Sequence, residues 1–335
     1  FPVDIIVCGE GEVTVVETMR AIESGTGLEN VAGIAYRAEN GEVRVNPPRE
    51  RIADLDTIPF PAYHHIDLDL YGNMVPVMSA RGCPYRCKFC SAHSVWEKKL
   101  TYRSPANIVA ELEMVGDKAR EICFSDDTFV LRKARVREII ASLDDAHINL
   151  PWRCNGRVDR MDEDLFAEMV DSGCHEMLLG LESGSDRVLK LINKHFTRDQ
   201  ALSVIKQAAR YVPRLDVSFI WGFPFEGMDD FYDTMMALAE VSRLKTRTYI
   251  HGHLLCAFPK SALYQEYSQL VRFSPDFYPS QRAFIPTDRL STYPELLELI
   301  VQYPKIFAGF YYFDHPELAE KRRLIDQIWP DVEGR

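Results

Sequence analysis

Three thiols fall within eight residues in Cys83-Pro84-Tyr85-Arg86-Cys87-Lys88-Phe89-Cys90, at spacing C-x3-C-x2-C. One loop with that spacing can wrap its thiolates around a single metal centre, and thiolates suit iron–sulfur clusters and zinc. The next cysteine is Cys123, so no fourth ligand follows at ferredoxin spacing. Three ligands on a cubane leave one iron open for a substrate or cofactor. On ligand count a Cys3His zinc site is the alternative, with His93 three residues after Cys90. Structural zinc more often uses two separated knuckles, which weighs against it. Pro84, Arg86 and Lys88 between the thiols weigh against a packed apolar core. The other five, Cys8, Cys123, Cys154, Cys174 and Cys256, read as small buried apolar residues.

Such a loop needs a scaffold, and the chain from about residue 75 alternates strand and helix. Val75 to Ser79 reads as a strand running into the cysteines, with Pro76 best placed at its start. Ser104 caps a helix with Pro105 in its first turn, Ile108, Val109, Leu112 and Val115 as its stripe and Gly116 at its end. Strands follow at Glu121–Ser125, Trp152–Asn155, Glu176–Leu181, Asp216–Trp221 and Thr248–Cys256. Helices between them carry the stripe Val136, Ile139, Ile140, Leu143, the cap Asp162, the helix openers Ser185 and Thr197, and the stretch Phe231–Leu244. Thr197 and Gln200 have capping-box spacing. Six strands, each followed by a helix through short connections, predict a parallel α/β sheet with sequential neighbours, an open or partial barrel rather than a doubly wound sheet.

Before that core, Ile5–Val7, a helix Glu12–Ile22 with Val15, Val16 and Met19 inward, and two strands (Val31–Arg37, Glu42–Val45) joined by a type I′ turn at Asn40-Gly41 make a small leading unit. Breakers at Asn46-Pro47-Pro48 and Ile58-Pro59-Phe60-Pro61 mark a linker. The expected division is residues 1–63, a core at 75–270, and a C-terminal extension at 271–335 with Pro275, Pro279, Pro286, Pro294 and Pro304 around a helix near Glu295–Tyr303. The chain opens Phe1-Pro2-Val3-Asp4 without an initiator Met or a signal-peptide pattern, which reads as a cut or processed end.

The 335 residues, 46% hydrophobic and 27% charged, have the composition of a globular chain rather than a disordered one. A net charge of −11 disfavours nucleic acid as a partner. No run of about 18 apolar residues is present, so no membrane span is expected. Eight cysteines without paired short-loop spacing do not form a secreted disulfide framework, and the expected compartment is reducing cytosol.

Cys83-x3-Cys87-x-Phe89-Cys90 resembles the C-x3-C-x-aromatic-C motif of the radical S-adenosylmethionine (SAM) superfamily. The resemblance implies a partial (β/α)6 barrel, a 4Fe-4S cluster on Cys83, Cys87 and Cys90, and SAM chelated to the fourth iron. Reductive cleavage would then give methionine and a 5′-deoxyadenosyl radical. It further implies a SAM-amino site in Ser125, Asp126 and Asp127, a carboxylate site near Asn155 and Arg157, ribose recognition by Glu182 beside Ser183, and an adenine-side stretch from Gly222 to Glu226. Each has a blander reading as a helix cap or turn residue. Tyr249, His251 and His253 alternate on the sixth strand, so all three can face the interior, either to handle substrate or a proton or, as the favoured alternative, simply as hydrogen-bonded interior residues.

Val7-Cys8-Gly9-Glu10-Gly11-Glu12, Gly33-Ile34-Ala35-Tyr36-Arg37 and Asp54 through Pro61 resemble the join in cobalamin-dependent radical SAM enzymes, where the tail of a Rossmann-like cobalamin domain meets the barrel. The D-x-H-x-x-G motif of many relatives is absent, so this chain offers no cobalamin ligand of that kind. The implied activity is methyl transfer to an unactivated carbon or phosphorus of a small-molecule or peptide substrate, with a one-electron donor such as flavodoxin or ferredoxin. Cyclisation, rearrangement or oxidation is the alternative within the family. A metal-binding module that leaves SAM intact is the alternative outside it. A methylthiotransferase would need three further cluster cysteines upstream, where only Cys8 stands.

Overall fold

The computed structural model describes residues 3–96, 99–244, 247–277, 279 and 293–333. Its centre is a six-stranded, wholly parallel sheet of β4 (Met74–Val77), β7 (Glu121–Phe124), β8 (Trp152–Gly156), β9 (Cys174–Glu182), β10 (Arg214–Trp221) and β11 (Arg247–Leu254). Spatial order follows chain order. Helices α3 (Pro105–Val115), α4 (Lys133–Asp145), α5 (Glu163–Asp171), α6 (Asp186–Leu191), α7 (Arg198–Tyr211) and α8 (Met228–Val241) occupy the connections. This is the expected partial barrel.

The caps read from sequence close as expected. Ser104 Oγ accepts from Asn107 N–H, Asp162 from Leu165 N–H and Ser185 from Val188 N–H, and Thr197 with Gln200 forms a full capping box. Each satisfies helix donors that would otherwise lack a partner. Strand alternation then sorts the two sheet faces. Met177, Leu179 and Leu181 of β9 are fully buried in the main core, as are Leu215, Val217 and Phe219 of β10. The opposite face is built in rows by the register. One row crosses Cys123, Arg153, Glu176, Arg214 and Arg247, the next Asn155, Leu178, Asp216 and Tyr249, and the next Gly180, Ser218 and His251. The helix side is therefore apolar, and the inner side carries the chemistry.

Four local expectations need correction. Pro76 is the third residue of β4, not its start. β4 is an edge strand, where the missing N–H costs no ladder bond. At Asn40-Gly41 only Gly41 has positive φ, and Gly41 N–H donates to the Ala38 carbonyl at 2.8 Å. The hairpin of β2 (Ile34–Arg37) and β3 (Val43–Val45) is closed by Ala38 N–H donating to the Glu42 carbonyl at 2.9 Å, so the turn is the three residues Glu39-Asn40-Gly41 with one left-handed glycine, not a type I′ pair. Helix α1 (Gly11–Ser24) buries Thr14, Thr18 and Ala21, while Val15, Val16 and Met19 are exposed. Apolar residues lie on more than one side of that helix, so its apolar stripe does not identify the side packed near β1 (Ile5–Val7) and β2. Cys8 is exposed rather than buried.

In the extension, α10 (Pro294–Gln302) matches the expected helix, and Pro286 lies outside the described residues. A second helix, α11 (Leu318–Glu333), was not anticipated. Its Leu318 and Ile325 join Trp221, Phe231, Leu254 and Tyr312 in a separate apolar cluster. No helix among the described residues is long and apolar enough to cross a membrane.

Candidate active site

The cysteine loop leaves the sheet beyond β4. It is closed at its base by β5 (Ala80–Arg81) pairing antiparallel with β6 (Thr101–Tyr102), and α2 (Ala92–Trp96) follows the last thiol. All three thiols are free, with Cys87 buried and Cys83 and Cys90 partly so. Each sulfur has a polar neighbour. Thr128 Oγ1 lies 3.8 Å from Cys83 Sγ, Arg157 Nη1 donates to Cys87 Sγ at 3.7 Å, and Ala92 N–H donates to Cys90 Sγ at 3.4 Å. Burial, with the neighbouring Cys87 and Cys83 thiols and Asp127 adding to it, pushes the Cys90 thiol upward. A bound metal reverses that by taking the thiolate directly.

Among the described residues, no group of three or more His, Cys, Asp or Glu is set to hold a single metal ion. The loop instead offers three sulfurs with donors around them, a set that fits a cluster larger than one ion. The His93 side chain, the fourth ligand of the zinc alternative, lies outside the described residues.

Arg157 ties the third strand end to this loop. Its Nε and Nη2 donate to the Asp159 carboxylate at 2.9 and 3.2 Å, and its guanidinium stacks 3.5 Å from the Tyr85 ring centre. Burial works against the charge, but Asp159 holds the guanidinium pKa above its ordinary value. Phe89 meets Phe223 edge-on at 6.3 Å, and Lys194 Nζ lies 5.7 Å from its ring centre.

The polar stretch after β7 divides. Asp126 is buried and accepts from Ser79 Oγ at 2.5 Å and Ala80 N–H at 2.8 Å, so its carboxylate braces the base of the cysteine loop. Burial, partly offset by those two bonds, raises its pKa to about 6. Ser125 and Asp127 are exposed, and Asn155 Nδ2 donates to the Asp126 carbonyl at 3.2 Å. At the end of β9, Glu182 sits at φ +70°. It accepts from Lys194 Nζ at 2.9 Å and from Ser218 Oγ at 3.1 Å. That left-handed backbone is a strain a carboxylate residue adopts only where its surroundings fix it. Ser183 points elsewhere. It is fully buried, with Oγ 3.0 Å from Thr234 Oγ1 in α8.

Gly222 has φ +80°, and a Cβ there would fall 2.6 Å from Leu254 Cδ1. Its N–H donates to Glu226 Oε2 at 2.8 Å, and the same oxygen takes a bond from buried Lys321 of α11. Among the described residues, Glu226 Oε1 is buried without a protein partner.

Tyr249, His251 and His253 do share one face of β11. His251 Nε2 lies 2.9 Å from Asp216 Oδ2, and its ring is parallel to His253 within 6°, at 6.0 Å. Tyr249 carries the Arg214 guanidinium 4.5 Å from its ring centre. Burial opposes the Asp216 charge, yet His251 and Arg214 hold its carboxyl below the usual range. Sequence reasoning missed Asp216, Lys194, Thr128 and Lys321. For Asp216 a signal existed, because it alternates with Ser218 along β10, the strand that pairs with β11.

Residues 77–238 match the Radical SAM superfamily, and the chain belongs to it. It is 36% identical over 234 residues to a protein named methyltransferase PH0819 from Pyrococcus horikoshii, covering 68% of this chain and 51% of that one. It is 25% identical to the anaerobic magnesium-protoporphyrin IX monomethyl ester cyclase of Rubrivivax gelatinosus, covering 96% of this chain and 59% of the cyclase. The structure of the radical SAM methyltransferase TsrM from Kitasatospora setae, with tryptophan and a SAM analogue bound, superposes with a TM-score of 0.70 at 17% identity, covering 98% of this chain and 66% of TsrM. The chain spans about half the length of the curated relatives it matches.

Proposed function

We propose that this chain is the catalytic part of a radical SAM methyltransferase, with Cys83, Cys87 and Cys90 holding a 4Fe-4S cluster. The observation that carries the reading is the set of three free thiols in one loop beyond a parallel sheet, with Arg157 against Cys87. The chemistry the bound cofactors supply is one-electron cleavage of SAM and, with cobalamin, delivery of a methyl group. The chain's own residues hold and orient. Thr128, Arg157 and the Ala92 amide surround the sulfurs. Glu182, fixed by Lys194 and Ser218, presents a carboxylate for the two hydroxyls of a ribose, and Gly222 lets the backbone turn beside the adenine. Exposed Asp127 suits an ammonium group. Substrate meets the wall of Tyr249, His251 and His253. Relatives named methyltransferases support methyl transfer, and structures of similar fold solved with cobalamin support that cofactor. TsrM was also solved with cobalamin and a 4Fe-4S cluster bound, superposing with a TM-score of 0.64 at 19% identity over 84% of this chain and 59% of TsrM.

Anaerobically reconstituted protein is expected to carry about four irons with acid-labile sulfide and to yield both 5′-deoxyadenosine and S-adenosylhomocysteine. One zinc and intact SAM would overturn the reading. A second outcome has its own support, since the cyclase relative matches nearly the full chain. 5′-Deoxyadenosine alone, with cobalamin present, would favour that cyclase-like chemistry.

A further inference from the structure

We propose that Glu10, Glu12 and Arg51, all outside the barrel, are positioning residues that clamp the base of the cysteine loop. The inference rests on the cluster reading above. Arg81 lies two residues before Cys83, and its guanidinium is held between two carboxylates. Nη1 donates to Glu10 Oε1 at 2.8 Å, and Nη2 to Glu12 Oε1. Glu10 is itself fixed, accepting from Ile52 N–H at 2.6 Å, with its side chain only 5% exposed.

The other side of the loop is gripped as well. Arg51 Nη1 donates to the carbonyl of Trp96, the last residue of the helix that follows Cys90, at 3.1 Å, and to that of Lys99 at 2.8 Å. Arg51 and Arg81 both lie against the Trp96 ring, 5.5 and 5.8 Å from its centre, within reach of cation–π attraction. Between the grips the backbone closes tightly. Gly82 has φ +99°, and a Cβ there would fall 2.1 Å from the Lys99 carbonyl oxygen, the same oxygen Arg51 binds.

Three sulfurs can share one cluster only if the chain entering Cys83 and the chain leaving Cys90 keep their separation. The β5–β6 pairing alone is two residues long on each strand. The Glu10–Arg81 and Arg51–Trp96 contacts pin both of its sides to the leading segment. That segment is thus part of the cluster site, acting through the loop rather than by touching iron.

The test compares full-length wild type, Glu10→Gln, Arg51→Lys and a remote control, Glu121→Gln, after anaerobic reconstitution. The readouts are iron and sulfide per chain, the rate of cluster loss to a chelator, and the electron paramagnetic resonance spectrum of the reduced cluster with and without SAM. Glu10→Gln and Arg51→Lys should lose iron roughly 10–100-fold faster than wild type, the range for losing an outer support of a metal ligand, and give an altered spectrum. Glu121→Gln should match wild type. Arg51→Lys keeps the charge and loses only the fork, so it decides the matter if Glu10→Gln does not fold. Wild-type rates and spectra in the folded variants would overturn the clamp alone. A wild type that takes up no cluster would overturn the functional reading and the clamp with it.

Discussion

Lys321 and Glu226 form an ion pair with neither side chain exposed, Nζ 3.1 Å from Oε2, and Nζ also donates to the Glu226 carbonyl. Burial pushes the Glu226 carboxyl upward, and Lys321 opposes it. The pair joins the end of the fifth core strand to a helix 95 residues away. Removing only the lysine leaves a buried carboxylate without its cation. Lys321→Met should cost about 3–5 kcal/mol in urea unfolding, and adding Glu226→Gln should recover part of the loss. Strictly additive costs would show that the two do not act as a pair.

Asp126 makes stability depend on pH. Its carboxyl has an ordinary value of 3.8 and, through burial, about 6 in the folded protein. The folded state therefore holds a proton that the unfolded chain releases between those values. This contribution is full below about pH 3.8 and is lost as pH rises through about 6, amounting to about 3 kcal/mol. Asp126→Asn should flatten stability across that window. An unchanged slope would place the titration elsewhere.

The Asp216–His251 pair should matter to turnover and not to the cluster. Asp216→Asn removes the charge opposite the imidazole while keeping its shape. Product formation should fall about 100-fold if His251 handles a proton, the lower end for such a group, with iron content and SAM binding unchanged. A variant that loses iron instead would make the pair a structural brace.

The exposed side of α1 can be checked by charge. Val16→Lys or Met19→Lys should change stability by no more than about 0.5 kcal/mol, as at other surface sites. Thr18→Lys should cost several times that, because Thr18 is buried and bonded to the Thr14 carbonyl. Equal costs would reverse the assignment of faces.

The sheet was legible because its signals are local. Caps at Ser104, Asp162, Ser185 and Thr197 each involve a residue three positions on, and strand alternation repeats within a few residues. The cysteine loop was legible from spacing alone. What stayed hidden joins distant stretches. Arg81 and Glu10 are 71 residues apart, Asp216 and His251 35. No periodicity within an element encodes such a meeting, and charged residues in a loop look the same whether they clamp a neighbour or face water. The inward side of α1 failed for another reason, since its buried residues are Thr14, Thr18 and Ala21 while the large apolar side chains Val15, Val16 and Met19 face outward.

Pro76 lies exposed in the edge strand, and the flanking Val77 carbonyl is the one that bonds to the next strand. With no N–H to offer on the outer side, the rim denies a visiting strand the donor it would need there. The sheet is thus guarded against edge-to-edge pairing with a second chain at the strand from which the cysteine loop departs.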